Sequence, residues 1–151
     1  METTEKPKTK KTVFIKGPIN PQFIADSIAK HSTKMEIGGH NIFLGQVRDD
    51  KKDGKRVKGI DYSAHEEMAE KEIYNIREAT FAKFDITCMH IYHSLGRINA
   101  GKICMFVFVS SKHRDVCYEA SRYVVEEIKD KAPIFGKEIF DDDSYDWKEN
   151  T

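Results

Sequence analysis

The stretch "KICMFVFVSSKHRDVCYEA", residues 102–120, combines a nearly continuous apolar run with a helical pattern, and it decides the predicted fold. Apolar residues at successive positions are typical of a central strand that is buried on both faces. The helix that follows is predicted from about residue 112 to 131. It ends at Ala132, because the residue before a proline is disfavoured in helical backbone. The sequence therefore predicts a buried strand that leads directly into a long helix.

Two further helices and several shorter strands surround this unit. Asn20 as the cap and Pro21 as the first residue begin one helix, which ends near His31. The second helix, at 66–84, has acidic residues in its first turns, where they match the helix dipole. Its apolar face is predicted to consist of Ala69, Ile73, Ile76 and Thr80. Strands are predicted at 12–16, 40–47, 57–64 and 85–93, and the segment 133–140 is expected to be extended or looped.

Two connections indicate how these strands pair. The charged segment 48–56 contains the Asp53-Gly54 turn signal, so it predicts a hairpin between the strands that flank it. The segment 94–101 is short enough to join antiparallel neighbours. Because strands and long helices do not alternate strictly, we predict an α+β, two-layer domain with a mainly antiparallel sheet and about three helices.

The charge balance and the terminal composition limit the classes of partner. Lys plus Arg and Asp plus Glu each number 25, and this zero net charge argues against a general attraction to nucleic acid or to a membrane surface. No apolar run reaches the length of a membrane span or of a secretory signal, so we expect a soluble cytoplasmic protein. Residues 1–11 are polar and Lys-rich, which predicts a flexible tail before a single domain at 12–148.

The thiols and imidazoles do not form a metal-binding pattern. Cys88, Cys104 and Cys117 are far apart in sequence, and buried free thiols are favoured over a disulfide, a metal site or a nucleophile. His90 and His93 fall on one predicted strand, where an odd spacing directs their side chains to opposite faces. We expect neither a metal nor a cofactor.

Basic residues mark both ends of the long helix. His113 and Arg114 fall in its predicted first turn, where a bound anion would offset the unfavourable helix dipole; the alternative is that both simply face solvent. Lys129 follows 16 residues after His113, which is about 24 Å along a helix. One small ligand can therefore contact both only across two chains or through linked pockets.

Three lysines, Lys129, Lys131 and Lys137, flank the helix end. They are either dipole-matched surface residues or a cluster able to act in proton transfer and oxyanion stabilisation. Arg48 follows a predicted strand and precedes a basic loop, so an RNA-binding or anion-binding role of residues 48–58 is a further alternative.

Four segments in order resemble one known family over roughly residues 37–148. They are "IFLGQVRDDKKDGKRVKGIDYSAHEEMAEKEI", "HIYHSLGRINAGK", "VFVSSKHRDVCYEASRYVVEEIKDKAPIFGKE" and the trailing "WK". The resemblance is to the large, catalytic subunit of molybdopterin synthase. It implies an α/β-hammerhead type of fold and a sulfur transfer that converts cyclic pyranopterin monophosphate to molybdopterin. The implied partners are a second copy of the chain and a small ubiquitin-like subunit, which carries the sulfur as a C-terminal Gly-Gly thiocarboxylate within a heterotetramer.

The resemblance also implies roles for individual residues. Arg48, His113 and Arg114 would hold the substrate phosphate, Glu138 would contact the substrate, and Lys129 would be the central catalytic lysine. Relatives commonly carry a second lysine at the place of Gly136, so the resemblance transfers that catalytic role to Lys137. The alternative is a catalytically impaired partner protein that still binds the small subunit.

Overall fold

The computed structural model describes residues 12–148, and the predicted tail at 1–11 lies outside the described residues. In chain order the elements are β1 (Phe14–Lys16), α1 (Pro21–Lys30), β2 (Gly39–Gln46), β3 (Lys51–Lys52), β4 (Lys55–Ala64), α2 (Glu66–Lys83), β5 (Cys88–Asn99), β6 (Ile103–Ser111), α3 (Arg114–Lys131), β7 (Ile134–Phe140) and β8 (Tyr145–Trp147). A 3-10 turn at His31–Thr33 follows α1. The Asn20 side chain caps α1 by accepting from the Gln22 backbone N–H at 2.8 Å, as predicted.

The strands form one sheet in the order β2-β6-β5-β4-β7-β8, and all these neighbours are antiparallel. The short β1 joins β5 in parallel, and β3 joins β4. The long strand β5 connects two parts of the sheet, because its residues 88–93 pair with β6 and its residues 96–99 pair with β4. The predicted α+β class with a mainly antiparallel sheet is confirmed.

Successive side chains of β6 are buried on opposite faces of the sheet. Met105, Val107 and Val109 pack in one apolar cluster with α2 and α3. Phe106 and Phe108 pack on the other face with Ile24 of α1 and with Ile19. The central position of this strand is confirmed. The place of α1, on the face opposite α2 and α3, is a feature that the periodicity of its sequence does not reveal.

The predicted apolar face of α2 is confirmed. All four residues predicted on α2 are buried: Ala69, Ile73, Ile76 and Thr80. Helix α3 also buries one face, which includes Cys117, Ala120, Val124 and Ile128. Ala132 has the extended backbone that Pro133 imposes, so α3 ends where the sequence predicts.

The predicted hairpin between the strands at 40–47 and 57–64 is wrong. A two-residue turn at Asp53 and Gly54, with φ of 50° and 78°, does form, but it joins only β3 to the start of β4. The reason is that β2 pairs along its length with β6, while β4 pairs with β5 and β7. The connection predicted at 94–101 is also shorter than expected, since β5 continues to Asn99.

The start of α3 differs slightly from the prediction. The helix begins at Arg114, and His113 is its N-cap residue with extended backbone rather than part of the first turn. Gly38 allows this junction to lie against the start of β2, because a Cβ at that position would fall 2.1 Å from the Lys112 carbonyl oxygen. None of the helices among residues 12–148 is long and apolar enough to cross a bilayer.

Replacing Ile73 by Ala should lower the free energy of unfolding by about 2–5 kcal/mol, because the change leaves a cavity between α2 and the sheet. Ile73 is 1% exposed, whereas the neighbouring Tyr74 is 59% exposed. Equilibrium unfolding in urea measures the effect, and Tyr74→Ala is the matched control, expected to change the free energy by no more than about 0.5 kcal/mol. Equal losses in the two variants would contradict the assigned core.

Candidate functional site

A cleft of about 670 Å³ opens beside the C-terminal end of α3. Its walls come from the ends of β2 and β6, the middle of β4 and β5, and from β7 and β8. Three of the predicted site residues line it: Arg48, Lys129 and Glu138. The structure thus brings together residues that are up to 90 positions apart in the chain, counted from 48 to 138.

Lys129 lies in the last turn of α3, on the turn that packs Ile128 against the sheet. Burial lowers the pKa of His93 and raises that of Cys104, and the positive charge of Lys129 has a smaller, lowering effect on the pKa of both. Lys129 itself lines the cleft beside these two buried side chains. This favours the interpretation of Lys129 as a site residue over that of a dipole-matched surface lysine.

Glu138 provides a nearly buried carboxylate on the β7 wall, where the residue is only 3% exposed. The Lys52 ammonium, from the β3–β4 turn region, donates to Glu138 Oε1 at 2.7 Å. This hydrogen bond raises the pKa of Lys52 and keeps that lysine charged. A buried carboxylate requires such a partner, because burial without one is costly.

Arg48 lies at the mouth of the cleft, with 67% of its side chain exposed. Its guanidinium binds Asp50 through Nε to Oδ1 and Nη2 to Oδ2, both at 3.1 Å. This contact lowers the pKa of the Asp50 carboxyl. Since both partners are solvated, the pair contributes little to stability and an incoming anion can compete for the guanidinium.

The floor of the cleft contains His93, Tyr62 and Cys104. Burial, with a smaller effect from the Lys129 charge, lowers the pKa of His93 to about 4, while its Nδ1–H donates to the Ser94 carbonyl oxygen at 2.8 Å. Burial also raises the pKa of Tyr62, whose hydroxyl donates to Cys104 Sγ at 3.5 Å. Near neutral pH the floor is therefore uncharged, and charge is concentrated on the cleft walls and mouth.

The structure does not place Lys137 in the cleft. Side chains alternate along β7, so Gly136 and Glu138 line the cleft while the Lys137 ammonium lies over the Tyr145 ring at 4.5 Å from its centroid. Gly136 does not adopt the positive φ that would redirect the chain, and a Cβ there would lie 3.1 Å from Ile60 Cγ2. Lys137 therefore does not line this cleft, and its catalytic role stays a prediction.

His113 and Arg114 line a separate hollow of about 320 Å³ at the other end of α3, together with Asp115. The helix between them and Lys129 is continuous, so the separation of about 24 Å expected from 16 residues holds within one chain. Asp115 is an acidic residue in the first turn, which the sequence reasoning overlooked and which partly offsets the basic pair.

The predicted burial of the free thiols and the opposite orientation of the two strand histidines are confirmed among residues 12–148. His90 Nε2 lies 3.0 Å from His31 Nε2 on the α1 face, whereas His93 faces the cleft, so the two strand histidines point to opposite faces. The three cysteines are buried and free. No group of three or more His, Cys, Asp or Glu side chains in this part of the chain is arranged to hold a metal ion.

Sequence reasoning missed Tyr62 and His93 as cleft residues, and it missed Lys52 as the partner of the cleft residue Glu138. Tyr62 could have been predicted, because side-chain alternation along β4 places it on the same face as the buried Ile60. No sequence pattern identified Lys52, because it belongs to a charged loop of the kind that is usually solvated. Its contact with Glu138 of β7 exists only in the folded chain.

Comparisons with known proteins agree on one family. The chain matches the family model described as MoaE protein over residues 16–131. It is 36% identical over 122 residues to the molybdopterin synthase catalytic subunit of Pyrococcus abyssi, covering 81% of each chain. The solved molybdopterin synthase from Staphylococcus aureus is similar with a TM-score of 0.80 and 29% identity, over 91% of this chain and 96% of that chain. A complex of subunits 1 and 2 of molybdopterin-converting factor from Helicobacter pylori shares the fold, with a TM-score of 0.74 and 18% identity, over 89% of this chain and 87% of that chain.

Replacing His93 by Gln should flatten the dependence of stability on pH. The folded protein keeps His93 neutral down to a pKa of about 4, whereas the unfolded chain titrates near 6.5. Between these values the unfolded state binds more protons, so the free energy of unfolding rises with pH, on the order of 3 kcal/mol in total from this group. Urea unfolding at pH 4 to 7 measures the slope, and the imidazole NMR signal of the wild-type protein should titrate near pH 4. An unchanged slope in the variant would contradict the assignment.

Proposed function

The chain belongs to the MoaE protein family, and from this membership we propose that it is the catalytic subunit of a molybdopterin synthase in molybdenum-cofactor biosynthesis. The observation that carries the proposal is the cleft itself, in which Lys129, Arg48 and the buried Glu138 surround an uncharged floor. Cationic groups beside a poorly solvated floor suit the binding of an acidic metabolite and the stabilisation of developing negative charge.

The proposed reaction is the sulfur transfer that converts cyclic pyranopterin monophosphate to molybdopterin. The sulfur is carried as a thiocarboxylate on the C-terminus of a small ubiquitin-like subunit, and water afterwards cleaves the acyl link to that subunit. We assign to Lys129 the proton transfer and the stabilisation of the oxyanion as the thiocarboxylate sulfur attacks the pterin side chain. Glu138 accepts hydrogen bonds from the bound substrate.

The proposed assembly is a homodimer within a heterotetramer that has a small subunit at each end. Within one chain the hollow at His113 and Arg114 is separated from Lys129 by the length of α3. A second copy of the chain would have to supply this basic pair, which then holds the substrate phosphate together with Arg48. A phosphate placed where helix N–H groups and basic side chains converge is bound by both.

Lys129→Ala should reduce conversion of cyclic pyranopterin monophosphate by about 10²- to 10⁴-fold, the range for a group that moves a proton or stabilises an oxyanion. The assay combines the protein, the thiocarboxylated small subunit and the cyclic precursor, and measures molybdopterin formed. Lys131→Ala is the control, because Lys131 lies in the same helical turn but pairs with Glu127 at 2.7 Å. Full activity of Lys129→Ala would refute the assigned mechanism.

The second candidate function is a partner protein that binds the small subunit and the precursor without turnover. Gly136 and the position of the Lys137 ammonium over Tyr145 favour this alternative, since they leave the cleft without a lysine from β7. The same reconstitution distinguishes the two functions. A synthase forms the dithiolene, whereas an inert partner binds both components and leaves the precursor unchanged.

Lys137→Ala should reduce the rate of an active synthase by less than about threefold if the ammonium stays on the aromatic rings of β8, because exposed cation–π contacts contribute only about 0.5–1 kcal/mol. Lys137 lies 4.5 Å from the Tyr145 centroid and 5.7 Å from the Trp147 centroid. The reconstituted assay measures the effect. A loss as large as that of Lys129→Ala would instead establish the catalytic role that the resemblance implies.

A further inference from the structure

The β3–β4 turn region extends over β7 and brings a lysine to the cleft wall. Lys52 Nζ lies 2.7 Å from Glu138 Oε1, and the Glu138 side chain is 4% exposed while that of Lys52 is 44% exposed. We propose that Lys52 is a positioning residue of the cleft, which holds the Glu138 carboxylate in the orientation that accepts hydrogen bonds from bound substrate. This inference rests on the proposed function and assigns a role to a residue outside the predicted site.

The local backbone explains why Lys52 rather than Lys51 makes this contact. The turn at Asp53 and Gly54 fixes the register, with Lys51 opposite Arg56 and Lys52 opposite Lys55. Adjacent residues of a strand point to opposite faces, so only one of the two lysines can face β7. Both lysines are exposed residues, and Lys52 is the one that contacts Glu138.

Two lysines of β4 bind acidic residues that do not line the cleft. Lys55 pairs with Asp142 at 3.3 Å, and Lys58 pairs with Asp143. Both acceptors lie in the turn between β7 and β8 and are exposed. These pairs attach the hairpin to the turn, whereas the Lys52 pair attaches it to a buried carboxylate of the site.

Because Glu138 is buried, the orientation of its carboxylate depends on its contact with Lys52. A buried carboxylate without its donor reorients toward water or takes up a proton, and in both cases it stops accepting hydrogen bonds from a ligand in the original geometry. The Glu138 charge also acts on Tyr62 and Arg48. However, Tyr62 donates its hydrogen bond to Cys104, and Arg48 donates to Asp50. The Lys52 ammonium is therefore the group that fixes the orientation of the carboxylate.

The test measures the steady-state kinetics of the reconstituted synthase. Lys52→Met retains the aliphatic chain and removes the charge, and it should raise the KM for the cyclic precursor about tenfold, the size of a lost charge-assisted hydrogen bond. The kcat should change less than about threefold, because Lys52 does not contact the reacting atoms. Lys52→Arg should restore the KM to within about threefold of wild type, since a guanidinium also binds a carboxylate.

Three controls separate positioning from a structural effect. Lys51→Met makes the same charge change at the adjacent residue, and Lys55→Met releases the hairpin from Asp142; both should keep the wild-type KM. In a Glu138→Gln background, Lys52→Met should add less than about twofold, because it acts through the carboxylate already removed.

The outcomes are distinct. A KM of Lys52→Met equal to that of Lys51→Met, an equal rise in Lys55→Met, or independent effects of Lys52→Met and Glu138→Gln would each overturn the role of Lys52 while the proposed function stands. A wild-type protein that forms no molybdopterin would overturn the proposed function and the role of Lys52 with it.

Discussion

The burial of β6 on both faces is the constraint on which the rest of the structure depends. Its side chains alternate between a cluster with α2 and α3 and a cluster with α1, so the strand is covered on both faces of the sheet. Both of its edges are also paired, with β2 and with β5. A strand that is covered on both faces and paired at both edges constrains the position of each neighbouring element. Helix α3 follows this strand after a short junction, so it packs on only one face of the sheet.

The fixed position of α3 determines where the chemistry can occur. Ala120, Val124 and Ile128 pack the helix against the sheet along its length, so the positions of its two ends are fixed relative to the sheet. One end presents His113 and Arg114, and the other presents Lys129 to the cleft. A continuous helix cannot bring its ends together, so a site that uses both requires a second copy of the chain, as proposed above, or linked pockets.

Much of the fold could be predicted because local signals and global packing agree. Helix α2 followed its apolar spacing residue by residue, Pro133 ended α3, and the apolar run of β6 indicated a central strand. The predicted pairing of the strands at 40–47 and 57–64 was wrong, because a turn signal such as Asp53-Gly54 determines only the residues beside it. The partners of β2 and β4 are strands that are distant in the sequence. Lys129 was a candidate from its position among the basic residues at the helix end, whereas Glu138 was implied only by the family resemblance; both line the cleft. Lys52 was missed because its contact with Glu138 depends on tertiary geometry.

The basic hairpin illustrates how tertiary contacts change the meaning of a charge pattern. In the sequence, residues 48–58 are a cationic loop and residues 141–146 are an acidic segment, far apart and each open to interpretation as an interaction tail. In the structure four of the loop's cations bind carboxylates: Lys52 binds Glu138, Lys55 binds Asp142, Arg56 binds Asp49 and Lys58 binds Asp143. Cations compensated in this way release few counterions on contact with a polyanion, so the hairpin is poorly suited to RNA binding. The exposed pairs contribute little stability individually. Their effect is to hold one arm of the chain over β7, and this places a lysine beside the only carboxylate among those pairs that lies on the wall of the cleft.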